Sequence, residues 1–418
     1  MIKHSAAWMV MGNGIYAISQ AATLAILARL VNVEAVGMFS FALAITAPIM
    51  LLSNIGLRTQ IITDTQNAYS LREYQKLRQL CSAVGAGLCV AIAAVMSSTT
   101  ELIIVVILVT LSKSAENQSE LFYGILQKQY KHRIVAISLA IRGVIGATSL
   151  AAGTYFSGNL ITGVICYTVS WWVICIFYDK KCTRRSISSI GDNKNTRYAD
   201  LMPLVYAGLP LGISALLINL NTGIPRIFIG QSDGMHAIGI YSIMAFIVQT
   251  GSLIINSTGQ AILPKLSVQF SQKNTKAFLA LTIKASLVVL LLSILGTIAS
   301  FFFADYFLEL AFGSEVSKNA HLLTLMFAIS PVQYLGSLFG YAISSTKRNI
   351  SLVSVQAAAS IAALAASLIL IPLYGLKGAV AATLIANSVA LSGYIITLIN
   401  ALKSASSKNS PELAEQAK

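Results

Sequence analysis

The sequence predicts an all-α integral membrane protein with twelve transmembrane helices, arranged as two six-helix halves that form a parallel repeat. Three observations predict it. Composition is the first: 56% of the 418 residues are hydrophobic and 11% are charged, against about a quarter charged in soluble domains. A large soluble enzyme is nearly excluded. The second is a series of apolar runs, each near the roughly 20 residues a helix needs to cross the hydrocarbon core. The third is the placement of charge, because most of the excess behind the net charge of +14 lies between those runs.

In chain order the spans fall at roughly 8–28, 37–55, 80–97, 102–124, 134–156, 159–178, 202–222, 237–258, 278–301, 321–343, 350–371 and 376–401. The first contains Gly12, Asn13, Gly14 and Gln20, which interrupt the uniform apolar stretch of a signal peptide. It is read as a retained helix. Short loops join the remainder, apart from the basic segment 179–200, DKKCTRRSISSIGDNKNTRYAD. That segment divides the chain into a first half (1–178) and a second (201–402), with a short tail at 403–418.

Charge sets the orientation. With both termini on one side, the loops of that side and the termini carry 23 of the 29 Lys and Arg residues, including Arg58, Arg72, Lys76 and Arg78. The other side carries only Arg29, Arg226, Lys318 and Lys377. Cytoplasmic loops collect Lys and Arg, so both termini are expected in the cytoplasm. A basic chain often binds nucleic acid, but here topology accounts for the charge.

The halves echo each other. ARLVNVEAVGMFSFALAI (28–45) and PRIFIGQSDGMHAIGIYSIMAFI (225–247) each hold an Arg, a polar turn, then Gly and an aromatic two residues on. YGILQKQYKHR (123–133) likewise faces YAISSTKRN (341–349) at the end of each fourth helix. An even number of crossings keeps both halves in the same orientation, which is the organisation of carriers that bind substrate at a repeat interface. A channel is less well supported, since no filter-like loop appears. Enzymatic motifs such as HExxH and GxSxG are missing too. The five cysteines form no CxxC and, with four histidines, no metal-ligand cluster. Neither a cofactor nor a metal is expected, and the protein is not read as an enzyme.

These same segments carry a resemblance. LPLGISALLINLNTGIPRIFIGQSDGMHAIGIYSIMAFI (209–247), ELFYGILQKQYKHRIVAIS (120–138) and ARLVNVEAVGMFSFALAI (28–45) resemble O-antigen flippases of the Wzx type, over about residues 5–400. Such proteins belong to the polysaccharide transporter family of the multidrug/oligosaccharidyl-lipid/polysaccharide exporter superfamily. The resemblance implies two six-helix lobes around a central cavity. It also implies movement of undecaprenyl-pyrophosphate-linked oligosaccharide from the cytoplasmic to the periplasmic leaflet of the bacterial inner membrane, by alternating access. The implied partners are that lipid and the bilayer, with the O-antigen polymerase and glycosyltransferases of the same pathway. Two departures separate this chain from relatives in the superfamily. Its first helix has no acidic residue, unlike drug antiporters, and nothing basic lies between Lys3 and Arg29, unlike the lipid II flippase.

A flippase must shield a pyrophosphate and a hydroxyl-rich glycan from hydrocarbon. Polar residues at helical spacing are the candidates. Asn13, Tyr16 and Gln20 share a face of span 1, and Asn219, Thr222 and Arg226 one of span 7. Span 8 aligns Gln249, Ser252, Asn256 and Gln260, and span 10 aligns Ser330, Gln333, Ser337 and Tyr341. Taken singly, such residues also serve as interhelical glue. Amides and aromatic rings are, equally, the groups that bind sugars.

Charges inside spans are costlier and more telling. Span 4 aligns Lys113, Glu116 and Glu120, and span 5 carries Arg142. One reading is a structural network pairing Lys113 with Glu116 and Arg142 with Glu120. The other assigns Lys113 and Arg142 to the pyrophosphate and Glu116 or Glu120 to a coupling ion. Arg29 and Arg226, at equivalent repeat positions, are candidates for headgroup release or for interfacial snorkelling. Two other functions compete with the flippase: a cation-coupled multidrug exporter, and a membrane-embedded transferase acting on the same lipid.

Overall fold

The computed structural model describes residues 2–64, 69–96, 99–184, 201–346 and 348–407. Among them the secondary structure is helical, without strands. Helix α1 spans Ile2–Leu30, α2 Val33–Ser53, α3 Leu57–Thr63, α4 Leu71–Met96, α5 Thr100–Lys128 and α6 His132–Ser157. Helix α7, Leu160–Ile174, runs through a π turn at Cys175–Asp179 into the short α8, Lys180–Arg184. Then follow α9 Met202–Ser232, α10 Gly234–Ser271, α11 Thr275–Phe312, α12 Ser314–Ser317, α13 Ala320–Ser344 and α14 Asn349–Ser407. Most of the linker and the tail beyond Ser407 lie outside the described residues.

Local chemistry sets the boundaries. The side chains of Asn32, Thr99, Asn159 and Asn274 accept from the backbone N–H of Ala35, Leu102, Ile161 and Ala277, capping α2, α5, α7 and α11. Each cap satisfies a donor that the first turn leaves open. The 29 residues of α1 or of α5 reach about 43 Å at 1.5 Å per residue, enough to cross a bilayer.

Among the described residues, ten stretches are long and apolar enough to cross a membrane. They differ from the twelve expected spans in two places. Helix α5 is long enough but carries charge along its C-terminal half. The run 350–404 counts once, yet α14 folds back on itself at Gly375, whose φ of 54° and ψ of −132° lie outside helical space. The missing side chain of Gly378 lets that position approach the Leu370 carbonyl, while Gly393 packs on Val355 and Gln356 donates to Tyr394. These pairs mark two antiparallel helices. Large apolar side chains cover the outside of many helices, among them Phe301, Phe302 and Phe303 of α11. A surface of this kind is stable facing lipid. The chain is a multi-pass membrane protein.

Packing groups the residues into two compact units, Met1–Gly239 and Ile240–Lys418. Helix α9 falls in the first unit because it lies along α2. Glycines allow the approach: a Cβ at Gly208 would overlap the Ile55 carbonyl, and one at Gly212 would meet that of Leu52.

The third span starts earlier than expected. Helix α4 begins at Leu71, so Arg72, Lys76 and Arg78 are helical and not in a loop. Arg78 is buried, donating to Asn54 at the break between α2 and α3. Gly56 (φ 57°) makes that break possible, and Gln60 donates to the carbonyls of Ile55 and Leu204 at 2.9 and 3.1 Å to hold it.

Candidate functional site

Inside the first unit, charged side chains from α3, α5, α6 and the π turn meet aromatic rings from α1, α5 and α7. On α5, Lys113 Nζ lies 2.6 Å from Glu116 Oε2. Tyr16 OH, reaching from α1, donates to Glu116 Oε1 at 3.1 Å. One turn further on, Gln20 Nε2 donates to Tyr167 OH at 3.3 Å. The side chains of Lys113 and Glu116 retain 21% and 23% exposure. An ion pair midway along a transmembrane-length helix and still partly accessible requires a wet surface, because hydrocarbon would not solvate it.

Two further pairs complete the set. Arg142 Nη2 lies 3.0 Å from Asp179 Oδ2, and both side chains are 1% exposed. Ser138 Oγ donates to the other oxygen of Asp179 and shares a 2.7 Å hydrogen bond with Tyr123 OH. Arg58 Nη1 lies 2.6 Å from Glu120 Oε2, and its Nε donates to Gln127 at 3.0 Å. The expected partnership of Arg142 with Glu120 is therefore not formed. Glu120 is taken by Arg58, which the sequence reading left in a loop, and Arg142 by Asp179, which it left in the linker.

The cations and rings alternate. Lys113 sits 5.8 Å from the centre of the Trp171 ring, Arg142 lies 5.3 Å from Trp171 and 5.6 Å from Tyr123, and Arg58 lies 5.7 Å from Tyr123. Each contact is within the range where a ring face attracts a cation. The middle cation is sealed, and the two end cations are partly open. This ladder holds three positive and three negative groups in fixed positions without a net local charge.

Comparison with known proteins places this arrangement. The model of a family described as "Polysaccharide biosynthesis protein" matches residues 2–270. Capsular polysaccharide biosynthesis protein CapF of Staphylococcus aureus is 30% identical over 395 residues, covering 93% of this chain and 96% of that protein. The chain belongs to the polysaccharide biosynthesis protein family.

Solved structures extend the likeness at the level of fold. The lipid II flippase MurJ in an inward closed conformation superposes with a TM-score of 0.76 at 13% identity, covering 95% of this chain and 89% of that one. An inward-facing multidrug resistance MATE family transporter of the MOP superfamily gives 0.70 at 13% identity, covering 96% of each chain. The fold of this polysaccharide biosynthesis family member is that of MOP-superfamily transporters.

The remaining candidate residues are dispersed. Asn13 is exposed and donates to Met9 O in its own helix, and Asn219 donates to Ala215 O in the same way. Arg29 is exposed in the last turn of α1, where a cation complements the helix C-terminus. Arg226 is half-buried on α9. Gln249, Asn256 and Gln333 lie in the second unit. Among the described residues, no group of three or more His, Cys, Asp or Glu side chains could hold a metal ion. A cleft of about 490 Å³ opens where α2, α5 and α7 begin, but its lining carries Glu34 and Glu101 and no cation. It does not suit an anion.

Proposed function

We propose that the protein is a flippase that carries an undecaprenyl-diphosphate-linked oligosaccharide, the repeat unit of an O-antigen, from the cytoplasmic to the periplasmic leaflet of the inner membrane by alternating access. The observation that carries this reading is the half-open Lys113–Glu116 pair held by Tyr16 and Trp171 midway along α5. It offers an ammonium to a diphosphate and a carboxylate to a coupling proton or sodium ion. Glu120, paired with the equally accessible Arg58, is the second candidate for coupling. In this scheme Arg142 is a positioning residue: its buried bridge to Asp179 fixes the two rings on which the end cations rest.

The scheme includes twelve crossings in two six-helix lobes, 1–178 and 201–402, with both termini in the cytoplasm. Arg29 and Arg226 then sit at the periplasmic ends of their helices, where the headgroup leaves. Asn13, Gln20 and Asn219 add polar groups along its path. The polymerase and glycosyltransferases of the same pathway are the natural protein partners.

The relative from Staphylococcus aureus favours a second reading of the glycan, since its name assigns it to capsular polysaccharide. A cation-coupled multidrug exporter shares the fold, so substrate must decide. Proteoliposomes loaded with a fluorescent undecaprenyl-diphosphate oligosaccharide test the proposal. Protein-dependent loss of the label to an external quencher or glycosidase supports it. Efflux of small organic cations without lipid movement overturns it.

A further inference from the structure

The second unit differs in kind from the first. Between His236 and Lys265, α10 has no Asp, Glu, His, Lys or Arg, and α13 has none after His321. What those helices present instead is amide and phenol. Gln249 is exposed, and Asn256 and Gln333 are half-buried. Among the described residues, none of these three side chains has a hydrogen-bond partner. An amide turned toward hydrocarbon without a partner costs several kcal/mol in transfer, so this face is wetted. Gln249, Asn256 and Gln260 follow one another at helical spacing along about 16 Å of α10. Gln333, Ser337 and Tyr341 do so along α13.

The two helices are fitted to each other by rings on glycines. Tyr334 packs where Gly251 lacks a side chain and donates to the Val248 carbonyl. Two turns along, Tyr341 lies against Gly259, where a Cβ would overlap its ring. Unlike the buried Tyr334, Tyr341 is half-exposed. The exposed Gln260 reaches its hydroxyl at 3.5 Å, the long limit of a hydrogen bond. A fixed, partly open aromatic face beside a weakly held amide, with unpartnered amides earlier along both helices, fits a sugar: ring against ring face, hydroxyls to amides.

We propose that the α10–α13 face is a carbohydrate subsite for an uncharged, hydroxyl-rich oligosaccharide, with Tyr341 as the stacking platform and Gln260, Gln333 and Asn256 as its hydrogen-bonding groups. The inference rests on the flippase reading for its substrate and adds a division of labour. Charge is handled in the first unit, and the neutral glycan in the second. Amides pair with hydroxyls as donor and acceptor at once, whereas a uronic acid would find no cation on this face.

The test uses the full-length protein in proteoliposomes with two lipids, undecaprenyl diphosphate bearing a neutral trisaccharide and the same lipid bearing one sugar. Tyr341→Ala and Gln333→Leu are expected to slow the trisaccharide lipid about tenfold, the size of a lost buried contact, while the single-sugar lipid moves as before. Tyr341→Phe keeps the ring and should retain most of the rate. Using the ratio of the two lipids within one variant removes differences in folded protein. If the wild type moves both lipids and the variants slow both equally, or neither, the subsite is refuted while the flippase reading stands. Should the wild type move neither lipid, the flippase reading fails. The subsite is then decided by saturation-transfer NMR of the free trisaccharide on protein in nanodiscs. Contact signals that disappear in Tyr341→Ala support it, and signals absent or unchanged overturn it.

Discussion

Arg142 and Asp179 form a 3.0 Å salt bridge in which each side chain is 1% exposed. One comes from α6 and the other from the π turn after α7, so the pair ties two helices at a point where neither group reaches water. Breaking such a pair leaves a buried charge, a loss of about 3–5 kcal/mol, whereas replacing both partners by apolar groups is often neutral. Arg142→Met is therefore expected to lower membrane abundance and melting temperature sharply. Arg142→Met combined with Asp179→Leu should recover both. Fluorescence-detected size exclusion with a heating step measures this, and equal losses in the single and double variants would show that the bridge contributes nothing to stability.

The helical spacing of Lys113, Glu116 and Glu120 was legible in the sequence because i, i+3 and i+4 positions share a face. Local spacing also found the Lys113–Glu116 pair. It could not find Arg58 or Asp179 as partners, since spacing reports the face of one helix and not the neighbour that meets it. Both residues also sit where the helix departs from regularity. Arg58 follows the break at Gly56, and Asp179 closes the π turn, which admits an extra residue and resets the register. Arg78 was hidden by the apparent start of the third span, because the first turns of α4 are too polar to read as membrane helix. The all-helical, membrane-spanning character was plain from the apolar runs, by contrast, as was the divide near Gly375 between the last two.

Gly375 turns α14 back on itself at φ 54° and ψ −132°. A side chain is strained in that region by about 1–3 kcal/mol. Gly375→Val should lower the melting temperature, while Gly14→Ala, at a helical glycine with nothing near its absent side chain, should leave it unchanged or slightly raised. A thermal shift assay on the purified protein compares them. Equal melting of Gly375→Val and wild type would mean that the hairpin does not depend on glycine.

Topology is tested by paired reporters. Fusions of alkaline phosphatase and green fluorescent protein at Asn193 and Lys408 should report cytoplasm, and fusions at Asp233 and Glu315 should report periplasm. The asymmetry of Lys and Arg between the two sides drives this assignment. Phosphatase activity at Asn193 would require an odd number of crossings before the linker and would remove the six-plus-six arrangement.

The accessible pair on α5 separates structure from transport. Lys113→Ala leaves Glu116 held in the cluster by Tyr16, and the isolated carboxylate should destabilise the bundle, though less than a sealed pair because both groups retain about a fifth of their exposure. Lys113→Ala combined with Glu116→Ala removes that burden, so abundance should return to the wild-type level. If the ammonium binds the diphosphate, surface polysaccharide should nevertheless stay absent in the double variant. Lys113→Arg should keep partial function, since the charge survives while its geometry and its place over Trp171 change. The measurement is surface polysaccharide by immunoblot, normalised to membrane protein, in a strain lacking the chromosomal copy. Recovery of both abundance and polysaccharide in the double variant would reduce Lys113 to a counterion of Glu116, and the anion would then have to be handled at Arg58, the other end of the ladder.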